Sequence, residues 1–233
     1  MGDPGWSSGP LGPSLNFDGL DDYVRVGERL NLVMHEALTI SLWLAPTGTE
    51  GILVNKEGEY EVTLHEGKVQ WALANGFPGW DWTGTEVAAP LNQWTHITLV
   101  YNGSAVQTYV NGSPVRTQSA SGSIGDIAPA QNEFRIGGRQ GATELFTGRI
   151  AEVRIYNRAL LGEEVSTLAS WVPGTGGGGS VQVRYVYGLD LVSQRRGEVT
   201  SYYGYDGLGS VRYLTDATGA IRGARFTLIL PVA

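Results

Sequence analysis

The sequence predicts an all-β domain, a two-sheet sandwich or barrel with one short helix, followed by a small second β segment. Three observations predict it. Short runs of alternating apolar and polar residues recur from Leu15 to Tyr156, the pattern of strands with one buried face. Asn-Gly pairs close several of them, at Asn75-Gly76, Asn102-Gly103 and Asn111-Gly112, and Asn-Gly accepts the positive φ of tight hairpin turns. Glycine occupies 34 of 233 positions, about twice the usual share of roughly 7%, as a fold with many turns requires.

Met1–Ser14 (MGDPGWSSGPLGPS) has no positive charge and no apolar core, so it is not a secretory signal, and residues 1–14 read as a flexible leader. Thr39–Leu44 places Ile40, Leu42 and Leu44 on one face and Ser41 and Trp43 on the other. Thr95–Tyr101 does the same with Ile97, Leu99 and Tyr101. Tyr60–Leu64, Lys68–Leu73, Ala105–Val110, Glu133–Ile136 and Arg149–Tyr156 are further expected strands. Asn157–Ala169 carries Leu161, Val165 and Leu168 at helical spacing, with Glu163 and Glu164 in the first turn, where the dipole favours them. The first domain is therefore expected over 15–171. Residues 172–180 contain Gly176–Gly179, a run that holds neither strand nor helix and serves as a flexible tether. The GGGGS spelling is that of engineered linkers and suggests a fusion joint. Residues 181–223 form a second β segment dense in Tyr and Gly, with Val181, Val183, Tyr185 and Tyr187 on one face. A segment that small, without disulfide or metal, is marginal alone, so its strands are expected to dock on the sandwich or on a neighbouring chain. The apolar end, 224–233, is unassigned.

Composition narrows the function. Charged residues at 17% are too few for a coiled coil, and hydrophobics at 42% with seven Trp are too many for a disordered chain. No stretch approaches the ~20 apolar residues of a membrane-spanning helix, so no membrane insertion is expected. A net charge of -7 without a Lys/Arg cluster argues against nucleic acid or an anionic bilayer as partner. The absence of cysteine excludes a disulfide scaffold, a thiolate metal site and a thiol nucleophile.

Four stretches, in this order, resemble the laminin-G-like and pentraxin-like jelly roll of the concanavalin A class. They are Leu15–Val24 (LNFDGLDDYV), Leu38–Leu44 (LTISLWL), Trp94–Asn111 (WTHITLVYNGSAVQTYVN) and Phe146–Leu160 (FTGRIAEVRIYNRAL). The resemblance implies a concanavalin A-like jelly-roll β-sandwich of two antiparallel sheets, with its termini together at one edge. The tail resembles the RHS, or YD, repeats of large bacterial proteins, through Tyr185–Gln194 (YVYGLDLVSQ) and Tyr202–Gly219 (YYGYDGLGSVRYLTDATG). In that family many such repeats close a β-shell. Here there is room for only a small β-hairpin RHS-repeat segment, so the encapsulating function does not transfer. Phe226–Val232 (FTLILPV) departs from the family pattern.

Three constellations could carry chemistry. For catalysis, His35, His65 and His96 are far apart and no GxSxG is present, so no catalytic residue is assigned. Glu57, Glu59 and Glu61 (EGEYE) faintly echo paired glycosidase carboxylates, and Glu59 and Glu61 share a face by alternation; the plainer reading is a solvated strand face. For metal, Asp18, Asp21 and Asp22 surround Gly19 and offer hard oxygen ligands that suit Ca²⁺. The resemblance places a calcium site where this turn meets the last strand, which here supplies Glu152 after Ala151 in place of an acid pair. The alternative is that Asp18 simply accepts backbone N–H bonds and holds the turn. For recognition, Phe77, Trp80, Asp81 and Trp82 lie in the Gly/Pro-rich stretch Gly76–Gly84 (GFPGWDWTG), where rings and a carboxylate would suit a sugar. The alternative is that the tryptophans cap the sandwich end or receive the tail.

The expectation is a non-catalytic binding or adhesion module of a bacterial secreted or cell-surface RHS-type protein, recognising a glycan or a protein. The runner-up is a scaffold that pairs with RHS-repeat strands and has no soluble ligand. A carbohydrate-active enzyme is third.

Overall fold

The computed structural model describes residues 4–9, 12–170, 193–196, 199–205 and 211–215. The chain divides into two units, one up to residue 175 and one from 176 onward.

Among the described residues the first unit holds thirteen strands, one α-helix and a single 3-10 turn at Leu30–Leu32. In chain order they are β1 (Gly5–Gly9), β2 (Gly12–Asp18), β3 (Val24–Gly27), β4 (Leu38–Pro46), β5 (Gly51–Lys56), β6 (Tyr60–His65) and β7 (Lys68–Leu73). After these come β8 (Thr83–Ala88), β9 (Thr95–Tyr101), β10 (Ala105–Val110), β11 (Ser113–Ser119), β12 (Phe134–Ile136), β13 (Thr147–Tyr156) and α1 (Gly162–Ser170). A seven-stranded sheet runs β1-β2-β13-β4-β9-β10-β11 and a six-stranded sheet runs β3-β12-β5-β6-β7-β8. Neighbouring strands are antiparallel throughout, and the two sheets form a sandwich.

The alternation fixes what faces the core. Ile40, Leu42, Leu44, Ile97, Leu99 and Tyr101 of one sheet are buried, as are Tyr60, Val62, Leu64, Val69, Trp71 and Leu73 of the other. Side chains of both sheets line a cavity of about 10 Å³ between them, room for no more than one water. That cavity is too small for a sugar. Close packing also explains a glycine: at Gly137, φ is 81° and an added Cβ would lie 2.3 Å from the Phe17 ring.

Tertiary pairing overrides local composition in two places. The Gly/Pro-rich leader was expected to be unstructured, yet Gly5–Gly9 is a strand pairing with β2 in the register Trp6↔Leu15. The unpaired N–H and C=O groups on the edge of β2 recruit it, and that ladder does not depend on side chains. The helix, expected from Asn157, starts at Gly162. Thr39 Oγ1 accepts the Leu160 N–H and donates to the Arg158 carbonyl, which holds 158–160 against β4. Glu164 then reaches back to the Leu161 N–H, the return half of a capping box. Leu160 is buried in place of Leu161, which is exposed. Strands β2, β3, β5, β8 and β11 were also not among those expected, and β5 and β11 escaped the alternation test for opposite reasons. Every residue of β5 is buried, whereas β11 is exposed along nearly its whole length.

In the second unit, β14 (Ser193–Arg196), β15 (Val199–Tyr205) and β16 (Val211–Thr215) form an antiparallel sheet in that order. The glycine tether, the Val181–Tyr187 alternation and the Phe226–Val232 stretch lie outside the described residues.

Candidate functional site

Tyr60, Val62 and Leu64 point into the sandwich, so Glu61 and Thr63 of β6 lie on the outer face of the six-stranded sheet. Glu61 is nevertheless fully buried, at 0% exposure. Arg139, from the connection between β12 and β13, lies over it. Arg139 Nη2 meets Glu61 Oε2 at 2.5 Å and its Nε donates to Oε1 at 3.3 Å. The same guanidinium reaches Glu57 Oε2 at 3.1 Å and Glu144 Oε1 at 2.8 Å. Asn55 Nδ2 donates to Glu61 and, at 3.3 Å, to Glu57, while Asn55 Oδ1 accepts the Gln140 N–H. Burial pushes the Glu61 carboxyl up to about 7, with Arg139 opposing the rise and Glu57 adding to it.

The Trp82 ring lies 5.9 Å from the Arg139 guanidinium carbon and is 36% exposed. The loop carrying it is fixed at several points. Phe77 exchanges both backbone hydrogen bonds with Ser121, and the Gly79 N–H donates to Asn75 Oδ1. The chain turns at Gly79, φ 89°, and the Asp81 N–H donates to the Gly79 carbonyl. The segment is therefore bent, not extended. Asp81 is exposed, with Oδ1 accepting the Trp82 N–H. Phe77 is exposed and Trp80 half-buried. Of the four loop residues named from sequence, Trp82 is the one whose ring reaches a charged group across the face.

Farther along this face, Arg135 lies 4.5 Å from the Tyr23 ring and pairs with Glu133 at 2.8 Å. Arg25 also donates to Glu133. Among the described residues the face carries Arg25, Arg135 and Arg139; Arg139 meets three carboxylates, while Arg25 and Arg135 share that of Glu133.

The remaining candidates fall elsewhere. Glu59 and Glu61 were expected on a solvated face, but both are buried. Glu59 pairs with Lys56 inside the turn before β6, while Glu61 serves Arg139, so the structure gives them separate partners. A charge left in a low-dielectric site needs such a partner, which is why both are covered. His35 and His65 are exposed, and His65 pairs with Glu50. His96 is buried on the seven-stranded sheet beside Ser41, 2.9 Å away, and Trp43. Burial, aided by Arg154, lowers its imidazole to about 4. The three histidines are not brought together.

The carboxylates of Asp18, Asp21 and Asp22 lie within 4.8 Å of one another, a donor set that fits a hard cation such as Ca²⁺. Asp18 Oδ1 also accepts the Leu20 and Asp21 N–H groups, and Asp22 Oδ2 the Asp18 N–H. Glu152 is not brought to this cluster. Thr147 is the residue opposite Asp18, and Glu152 lies five positions farther along β13. There a bulge interrupts the pairing with β4, and Glu152 binds Arg154 at 2.6 Å.

Sequence reasoning missed Arg139, Asn55 and Glu144. The available signal was a lone arginine after Gly137-Gly138, a stretch readable from sequence only as a turn.

Among solved structures, domain 4 of AbnA, a GH43 extracellular arabinanase from Geobacillus stearothermophilus in complex with arabinotriose, is similar with TM-score 0.57 and 22% identity. The match covers 73% of this chain and 82% of that one. The native heptameric SAP-like pentraxin of Limulus polyphemus matches with TM-score 0.53 and 20% identity, over 67% of this chain and 81% of that one. The botulinum neurotoxin serotype D ligand binding domain in complex with N-acetylneuraminic acid matches with TM-score 0.52 and 15% identity, over 67% of this chain but only 41% of its own length. No curated protein matches the sequence. Residues 17–166 match the laminin-G-type description of the concanavalin A-like lectin/glucanases superfamily, and the chain belongs to that family.

Proposed function

We propose that the sandwich is a non-catalytic carbohydrate-binding module of a secreted or cell-surface protein. One observation carries this reading: an exposed tryptophan, Trp82, stands beside a guanidinium that buried and half-buried carboxylates hold in place. An apolar ring face with a few fixed polar groups is what a sugar site needs, and a preformed site loses little entropy on binding. The neighbours holding arabinotriose and N-acetylneuraminic acid support it.

Glycosidases of this general design need two carboxyl groups within reach of one glycosidic bond. Glu61 is buried with both oxygens engaged by Arg139, and Glu59 is buried against Lys56. Neither can approach a substrate, which favours binding over hydrolysis. A glycan-array screen of the full chain, with hydrolysis products assayed in parallel, tests both halves. Retention of glycans without cleavage is the expected result, and release of shortened sugars would overturn it.

Ca²⁺ belongs to the proposal at the Asp18–Asp21–Asp22 turn. A cation that binds only the folded state adds about 2.7 kcal/mol at 100 times its dissociation constant, a rise of a few degrees in melting midpoint. Thermal melts in Ca²⁺ and in chelator should differ by that much. Identical midpoints would leave only a hydrogen-bonded turn.

A second role is favoured by the β14-β15-β16 sheet, whose outer strands have one unpaired edge each among the described residues. Such edges pair with further strands, and RHS-type strands of a neighbouring chain are the proposed partners. Sedimentation of the full chain over a concentration series should show association, and a monomer throughout would remove this role.

A further inference from the structure

Resting on the carbohydrate reading, we propose that the Trp82–Arg139 site takes neutral sugars and excludes acidic ones. The guanidinium is the site's cation, and three of this chain's own carboxylates already surround it.

A free guanidinium beside a tryptophan would bind a sugar carboxylate through paired N–H bonds. Arg139 is not free in that sense. Its Nε and Nη2 are committed to Glu61 and its Nη1 to Glu144, with Glu57 also on Nε. Arg25 and Arg135, farther along the face, share the single carboxylate of Glu133. Around the guanidinium, whose own side chain is 23% exposed, stand acceptor oxygens: the Glu144 side chain is 50% exposed and that of Glu57 16%. Exposed Asp81 adds another carboxylate one residue from Trp82. Hydroxyl groups donate to such oxygens, whereas a ligand carboxylate meets like charge. Stacking on Trp82 is indifferent to charge elsewhere on the sugar, so the carboxylates set the preference. The overall net charge of -7 works in the same direction.

The experiment uses the full chain and matched pairs of sugars: lactose with sialyllactose, and neutral galactan oligosaccharides with oligogalacturonides. Direct titration should show the acidic member of a bound pair at least about tenfold weaker than its neutral partner. Glu144→Gln removes an exposed negative charge and should narrow that gap, as should high salt, which screens it. An acidic sugar bound as tightly as its neutral partner, with the carboxylates intact, overturns the selectivity and leaves the carbohydrate reading standing. Failure of every sugar, neutral and acidic alike, overturns both.

Discussion

Replacing Arg139 by methionine is expected to cost the sandwich about 3 kcal/mol at about pH 8. That is the low end for breaking a buried ion pair, because the guanidinium keeps some contact with solvent while Glu61 has none. The loss leaves a carboxylate without its cation, and burial already holds that carboxyl at about 7 even with Arg139 present. A folded-state value above the unfolded one means that the folded state binds more protons. The stability Glu61 contributes is therefore full below its ordinary 4.5 and is lost as pH rises through 7. Without Arg139 the carboxyl rises further, so lowering the pH to about 5 should neutralise it and shrink the penalty. His96, lowered to about 4 by burial, gives the opposite slope between 6.5 and 4. It is unchanged in the variant and cancels in the difference. Urea unfolding of both proteins at the two pH values checks this. A penalty independent of pH would show that packing of the long side chain, not the charge, is what Arg139 supplies. Combining it with Glu61→Gln should recover most of the loss.

Replacing Trp82 by alanine is expected to weaken glycan binding at least about tenfold with little change in stability. The ring is 36% exposed and lies on a loop, so it contributes modestly to the core. Trp71 is the internal control. It is 1% exposed between the sheets, and its replacement by alanine should cost about 3–5 kcal/mol. Trp80 and Phe77 bracket the two cases, being half-buried and exposed respectively. A Trp82 variant that unfolds several degrees early while still binding sugar would make the ring a cap on the sandwich end.

Most of the fold was legible because it depends on local alternation. Thr95–Tyr101, Lys68–Leu73 and Ala105–Val110 appear as strands with the boundaries read from their patterns. Elements defined by their neighbours were beyond the reach of alternation. β1 forms on the edge of β2 despite its Gly and Ser content, and α1 starts late because Thr39, distant in sequence, holds 158–160. The site was legible in halves. The exposed aromatic loop around Trp82 and the acidic run around Glu61 were both visible, but nothing joined them. Arg139 does so from 78 residues beyond Glu61, and an arginine in a glycine-rich turn has no sequence signature of that role. The same limit explains Glu59 and Glu61. Alternation places them on a common face, but whether that face is wet depends on what folds over it.

The most direct test of carbohydrate binding at Trp82 and Arg139 is to locate the ligand on the protein. Titrating a neutral oligosaccharide retained on the glycan array into isotope-labelled full chain should shift the Trp82 indole N–H first. The Arg139 Nε–H and the backbone amides of Asp81 and Gln140 should shift with it, with the same saturation. Shifts confined to the opposite sheet, around Trp94 and His96, or to the Asp18–Asp22 turn, would contradict it.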